Sequence, residues 1–278
     1  MVLRLDGEEV RPAHRGELRV LVAAARPGPG QVRGYLAGDL IRRYTERIGL
    51  APTVADLSPD DPDELRAVCD ALNIHPSRHT LTLPFSLGQL DGLFADGVRP
   101  PVFDLGVRDA ADPVPEGVAE LADRWLDVTA ADGEKVVLGE EPLSVRMKLL
   151  GFDGDPATAL SRWRRRVAEW ARSPSGAMSR PHAAAIGAAF EDSLDAAAAL
   201  RVLTDLEADE EVPDGVKFET FAAADRMFGL DLARDIGRLS RYETETRNKS
   251  MVQCVNTQRI DTYTHDYALS LKSYLSVR

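Results

Sequence analysis

Apolar and polar positions along this chain change period several times. Residues 18–25, LRVLVAAA, form a continuous apolar run of the length expected for a buried parallel strand. RPGPG at 26–30 then punctuates the chain, and a helical period begins after it. Tyr35, Leu36, Leu40, Ile41 and Tyr44 lie three to five positions apart, which predicts one apolar face, with Arg42, Arg43 and Glu46 facing out. Gly49 stands where such a helix would stop. APTVADL at 51–57 reads as a second strand. Strand, glycine loop, helix and strand in that order predict the opening of a Rossmann-like sheet.

SPDDPDELRAVCDALNI (58–74) predicts a second helix, with Ser58 or Asp61 as cap and Pro62 in its first turn. From 76 to 140 the pattern breaks into short strand candidates: HTLTLPF, PPVFDLGV and EKVVLG. After Pro142 the period is helical almost throughout. ATALSRWRRRVAEWARS places Leu160, Trp163, Val167 and Trp170 on one face. HAAAIGAAFEDSLDAAAALRVLTDL predicts one long helix with Ile186, Phe190 and Leu194 inward. KFETFAAADRMFGLDLARDIG predicts a third, interrupted near Gly229. The expected fold is therefore an α/β Rossmann-like domain over 1–140 and an α-helical bundle over 141–238. Residues 239–278 lack Gly, Pro and the Ala-rich texture of the rest, so they read as a frayed tail, a frameshifted end or a foreign extension.

Composition narrows the function classes. The 44% hydrophobic and 28% charged fractions are those of a globular protein. There is no run of roughly 18 apolar residues to span a bilayer and no basic-then-apolar leader, so no membrane partner is expected. Cys69 and Cys254 are the only cysteines, which suits a reducing cytoplasm. A net charge of −11 argues against tight nonspecific nucleic-acid binding.

Several collinear stretches resemble cysteinyl-tRNA synthetases. GPGQVRGYLAGDLIRRYTERIGLAPTV resembles the segment that carries the HIGH motif of class I synthetases and its helix. LRAVCDALNIHPSR and LDGLFADG are similar to the family's next segments in chain order. LSVRMKLLG, FEDSLDAAAALRVL and MFGLDL resemble the helical domain shared with mycothiol cysteine ligase. The resemblance implies a class I synthetase-type fold, ATP with magnesium as cofactor, and a tRNA or protein partner.

The departures from that pattern bear on activity. The two motif histidines would fall at Gly28 and Gln31, and only Gly30 keeps the motif residue. Histidines there would donate to a triphosphate at a helix N-terminus, whereas Gln31 donates only a neutral hydrogen bond. No counterpart of the KMSKS loop is found; Arg146 and Lys148 lie in a helical, apolar context that better matches the helix after it. The family's zinc site has no cysteine at its first position, and no zinc is expected. The 140 residues of the α/β part are also fewer than the family's catalytic domain uses.

The candidate nucleotide-binding residues are Arg26, Gly28, Gly30, Gln31 and Arg33, grouped around the glycine loop where an anion could be cradled. The plainer reading pairs Arg33 and Arg42 with Asp39 or Glu46 on a solvated helix. Arg162, Arg164, Arg165 and Arg166 form the densest basic cluster, either an RNA contact or a solvated face opposite Trp163 and Trp170. His75 and His79 have metal-like spacing, but Pro76 opposes a helix there, so ordinary loop histidines are expected. Cys69, Tyr35, Trp125 and Phe103 are expected in the core. Besides tRNA binding in trans, which rests only on the arginine helix and the resemblance, two functions are compatible with these residues. One is a synthetase-like protein without standard aminoacylation, serving as a binding or accessory module. The other is an active ligase forming an adenylate on cysteine or a related amino acid.

Overall fold

The computed structural model describes residues 3–237, apart from 6, 13–15, 25–28, 58–61, 76, 78, 82–89, 91–100, 112–113, 116 and 131–135. A small antiparallel ladder pairs β1 (Arg4–Leu5) with β2 (Glu8–Glu9). The main sheet grows from the apolar runs. β3 (Glu17–Val22), β4 (Ala51–Leu57), β5 (His79–Leu81), β6 (Leu105–Asp109) and β7 (Trp125–Val128) are all parallel, in the order β5-β4-β3-β6-β7. Winding outward in both directions from the first long strand is the order of an open doubly wound sheet, compatible with a Rossmann-like arrangement.

β3 shows why its sequence is an unbroken apolar run. Leu18, Val20 and Val22 enter one hydrophobic cluster, while Leu21 and the following Ala23 enter another on the opposite face. Alternate side chains of a strand point to opposite faces, so a strand covered on both sides must be apolar at every position. α1 (Pro29–Arg47) crosses the first face. Its close approach is set by small residues: a Cβ at Gly34 would lie 2.6 Å from the Ala24 Cβ, and one at Gly38 would lie 2.8 Å from a Val22 methyl. α2 (Pro62–Ala71) follows β4, and just past its end Asn73 adopts φ 54°.

Among the described residues five further α-helices follow: α3 (Pro142–Leu149), α4 (Pro156–Trp170), α5 (Arg180–Glu191), α6 (Ala196–Ala208) and α7 (Asp214–Phe228). Their apolar stripes join the same cluster as β3 and α1, so one core runs from the sheet into the bundle. Trp163 and Trp170 pack edge-on against Phe221 with centroids 5.4 and 5.2 Å away, and Tyr44 of α1 stacks on Phe190 of α5 at 6.2 Å. Chain contacts divide the protein into 1–234 and 235–278, and residues 235–237 are the described part of the second unit.

Four elements depart from the pattern. The predicted helix from His182 to Leu206 is two helices, because Ser193 and Leu194 adopt φ 58° and 56°. Asp195 restarts the chain as an N-cap, accepting the Ala198 N–H at 2.8 Å. β7 carries no periodic signal, since WLDV is too short to show one. Val136–Gly139 form no strand, and 134–135 of that candidate lie outside the described residues. β6 begins only at Leu105, after a bend at Asp104, where the Asp104 carboxylate accepts the Arg19 backbone N–H at 2.8 Å. The Ser58 and Asp61 caps and the tail at 239–278 lie outside the described residues.

Candidate functional site

In an open sheet of this order, the crevice for a ligand lies at the C-terminal ends of the strands where winding reverses. Here that point is between β3 and β6, beside the first turn of α1. Arg26 and Gly28 lie outside the described residues. Gly30 is buried in the first turn of α1, and a side chain there would fall on the carboxylate of Asp109 at the end of β6. The Ala111 N–H holds that carboxylate through Oδ1 at 2.9 Å. The helix therefore begins against an anion of its own chain.

Gln31 is 5% exposed, and its Nε2 has no hydrogen-bond partner. One turn on, the Tyr35 hydroxyl donates to Asp56 Oδ2 at 2.8 Å from β4. Burial pushes the Asp56 carboxyl above its usual range, and burial with the Asp56 charge pushes the Tyr35 phenol up. Gln31 Nε2 and Asp56 Oδ1 are buried without a well-formed hydrogen bond, although the Thr80 and Ser77 side chains stand close enough to Asp56 to favour its charged form. Such groups are rare in folded proteins and mark places where a ligand or water can bond. Arg33 turns elsewhere: its Nη1 donates to the Leu149 carbonyl at 3.2 Å, at the end of α3. Two positions along a helix separate side chains by about 200°, so Gln31 and Arg33 serve different surfaces.

The strongest polar feature lies deeper, around Asp39. Its Oδ2 accepts from Arg43 Nε at 2.7 Å and from Arg146 Nη2 at 2.8 Å; its Oδ1 accepts from Arg42 Nη2 at 2.9 Å. The His75 N–H also reaches Oδ1, at 3.2 Å. Burial alone would raise the Asp39 carboxyl, but the Arg146 and Arg43 guanidiniums more than reverse this and hold it well below the carboxylate range. Arg146 is wholly buried and also donates to Phe228 O at 2.5 Å, Leu72 O at 2.9 Å and Asn73 O at 3.0 Å. Arg43 Nη2 shares the Asn73 carbonyl at 2.8 Å.

One carboxylate and one guanidinium thus tie α1, α3, the end of α2 and the end of α7 together. This corrects two expectations. Arg42 and Arg43 do not simply face out; they fold back on Asp39, although Arg42 also pairs with Glu46 at 2.7 Å. Asp39 is buried among core residues, not on a solvated helix. The signal for this was present, because Asp39 falls four positions after Tyr35 and three after Leu36, on the apolar face.

The basic cluster on α4 is also divided. Arg162 clamps Glu207 through Nε and Nη2 at 2.9 and 3.1 Å, and Trp163 Nε1 donates to the same carboxylate at 2.8 Å. Arg164 is buried, donating to Glu141, Leu230 O and Asp231 O. Of the four, Arg165 and Arg166 keep largely exposed side chains, near Glu169. A solvated face does not describe Arg164, which acts as a buried splint. Cys69 is buried as expected, its thiol pushed up to about 12 by burial. Phe103 and Tyr35 are core residues, whereas Trp125 is half-buried with its indole N–H on Ala119 O at 3.1 Å.

His79 begins β5, and His75 Nδ1 lies 2.7 Å from Arg42 Nη2. Burial first, then Arg42 and Arg43, lower the affinity of His75 for a proton. Among the described residues, no group of three His, Cys, Asp or Glu is placed to hold a metal ion, and no helix is long and apolar enough to cross a membrane. Neither the models of known protein families nor the curated proteins contain a match to this chain.

Proposed function

We propose that this protein is a cysteinyl-tRNA synthetase-like module that has given up standard aminoacylation and serves a protein partner as a binding or accessory subunit. The Asp109 carboxylate against Gly30 carries this reading. In adenylate formation a triphosphate would use the positive end of α1. A fixed carboxylate occupies that end instead. Two unit charges 4 Å apart at an effective dielectric of 20 repel by about 4 kcal/mol, enough to weaken phosphate binding roughly a thousandfold. Two further features support the reading. Gln31 replaces a charged donor with a neutral one, and Arg33 is bonded to the end of α3.

The second reading, an active ligase using ATP and magnesium on cysteine or a related amino acid, draws on the buried, unpartnered Gln31 Nε2. That donor could meet a ligand oxygen. The two readings separate in amino-acid-dependent exchange of labelled pyrophosphate into ATP, run over all twenty amino acids. The module reading expects no exchange above background. Robust exchange that collapses in Gln31→Ala would overturn it and establish the ligase.

A further inference from the structure

The main sheet stops at β7. In the strand order of a complete doubly wound sheet a sixth strand lies beyond the fifth, whereas among the described residues β7 pairs with β6 alone. The ladder shows which backbone groups face outward. Gly106 N–H donates to Arg124 O at 2.7 Å and Ala110 N–H donates to Val128 O at 2.8 Å, so alternate residues of β7 turn their peptide groups to β6. Trp125 and Asp127 turn theirs away, which sets two donors and two acceptors along one rim.

The side chains of β7 leave that rim open. A Cβ at Gly106 would lie 2.5 Å from the Trp125 ring, which places the indole back over β6. Arg108 of β6 lies over the same ring at 5.7 Å and bonds the Asp127 carboxylate through Nε and Nη2, drawing it inward too. Leu126 and Val128 point to the other face and pack against the main core. Exposed edges usually carry a lysine, a proline or a bulge that prevents pairing. Residues 125–128 carry none of these, and their register with 106–109 is unbroken. Brevity is the restraint that remains, and it limits how strongly the edge can pair.

We infer that β7 pairs antiparallel with β7 of a second copy of this chain, about a two-fold axis at Leu126. Trp125 of each copy then exchanges two backbone hydrogen bonds with Asp127 of the other. Leu126 meets Leu126 in the close, non-hydrogen-bonded position. Charge selects both the partner and the register. Asp127 stands beside Trp125 of the second copy, and so beside the Arg108 guanidinium over that ring, with no like charges opposed. A slip of two residues one way sets Asp127 against Asp127, and the other way sets it against Asp123. Like charges directly opposite destabilise a pair, so the edge suits its own copy in one register. The contact does not depend on the function proposed for the crevice at α1.

Sedimentation equilibrium of the full chain at up to about 1 mM tests the association. A strand pair this short belongs at the weak end of interfaces, and a reversible dimer with a Kd of roughly 0.1–1 mM is expected. Cross-linking in a Cys254→Ser background reads the register, Cys69 being buried. Leu126→Cys should give a disulfide dimer under mild oxidation, because facing Cα atoms of such a pair lie about 4.5 Å apart, within disulfide reach. Val128→Cys should cross-link about tenfold more slowly or less, since two copies of position 128 would lie roughly 13 Å apart. Asp127→Pro removes an outward N–H without touching the bonds to β6 and should weaken association about tenfold; Asp127→Ala should weaken it less. Thermal melts identify any variant that does not fold, and the remaining arms then decide. A monomer up to about 1 mM, no cross-link at 126, equal cross-linking at 126 and 128, or unchanged association in folded Asp127→Pro would each overturn the inference.

Discussion

Replacing Arg146 by methionine is the most demanding test of how the sheet and the helices are held together. Methionine keeps the length and apolar stem but removes the charge and every donor. The guanidinium donates to Asp39 Oδ2, Phe228 O, Leu72 O and Asn73 O. Breaking a buried ion pair by removing one partner typically costs about 3–5 kcal/mol, because the other charge stays buried. Here Asp39 retains Arg43 and Arg42, which limits that loss, and Asn73 O retains Arg43. Against this, Arg146 no longer serves the carbonyls of Leu72 and Phe228, and each buried acceptor left unpaired costs about 1–3 kcal/mol. The two effects place the total at about 3–5 kcal/mol. For a chain of this size that corresponds to a fall in Tm of roughly 6–20 °C. Arg146→Lys should be intermediate, since one ammonium cannot reach Asp39 and three carbonyls together.

Urea unfolding followed by circular dichroism measures the loss. A double-mutant cycle with Asp39→Asn should show a coupling of about 1–3 kcal/mol, because the two residues share one network. Asp39→Asn is expected to be the more damaging single change, since it leaves three guanidiniums around a neutral amide. A loss below about 1 kcal/mol for Arg146→Met, or additivity in the cycle, would refute the view that this network joins the two parts of the fold.

Two further outcomes rest on the same geometry. Asp39 has a folded-state pKa below its unfolded value, so its contribution is full above the ordinary carboxylate range and is lost as pH falls below it; the stability gap between wild type and Asp39→Asn should narrow below about pH 4, and a gap unchanged from about pH 7 to pH 3 would exclude the charge as its cause. Gly34→Val should lower the urea midpoint by an amount equal to about 1–3 kcal/mol, because its Cβ would sit 2.6 Å from that of Ala24; an unchanged midpoint would show that α1 can lift from β3 without loss.

Much of the architecture was decided locally. The run at 18–25, the period of α1 and the apolar face of α4 come from spacing alone, because burial on one or both sides dictates where apolar residues must stand. The break between α5 and α6 and the existence of β7 were not legible. Ser193 and Leu194 hold left-handed conformations that neither residue prefers, and Trp125–Val128 becomes a strand because β6 offers an edge to pair with. The same division applies to the polar residues. That Gly30 begins a helix beside a strand end could be read from the chain. That Asp109 would stand against it could not, since the two residues are brought together only by the pairing of β6 with β3. Arg146 and Asp39 are 107 positions apart; the spacing of Asp39 sets it on the apolar face of α1, but nothing local names Arg146 as its partner. Burial strengthens their mutual attraction and makes isolation costly, and burial belongs to the tertiary structure.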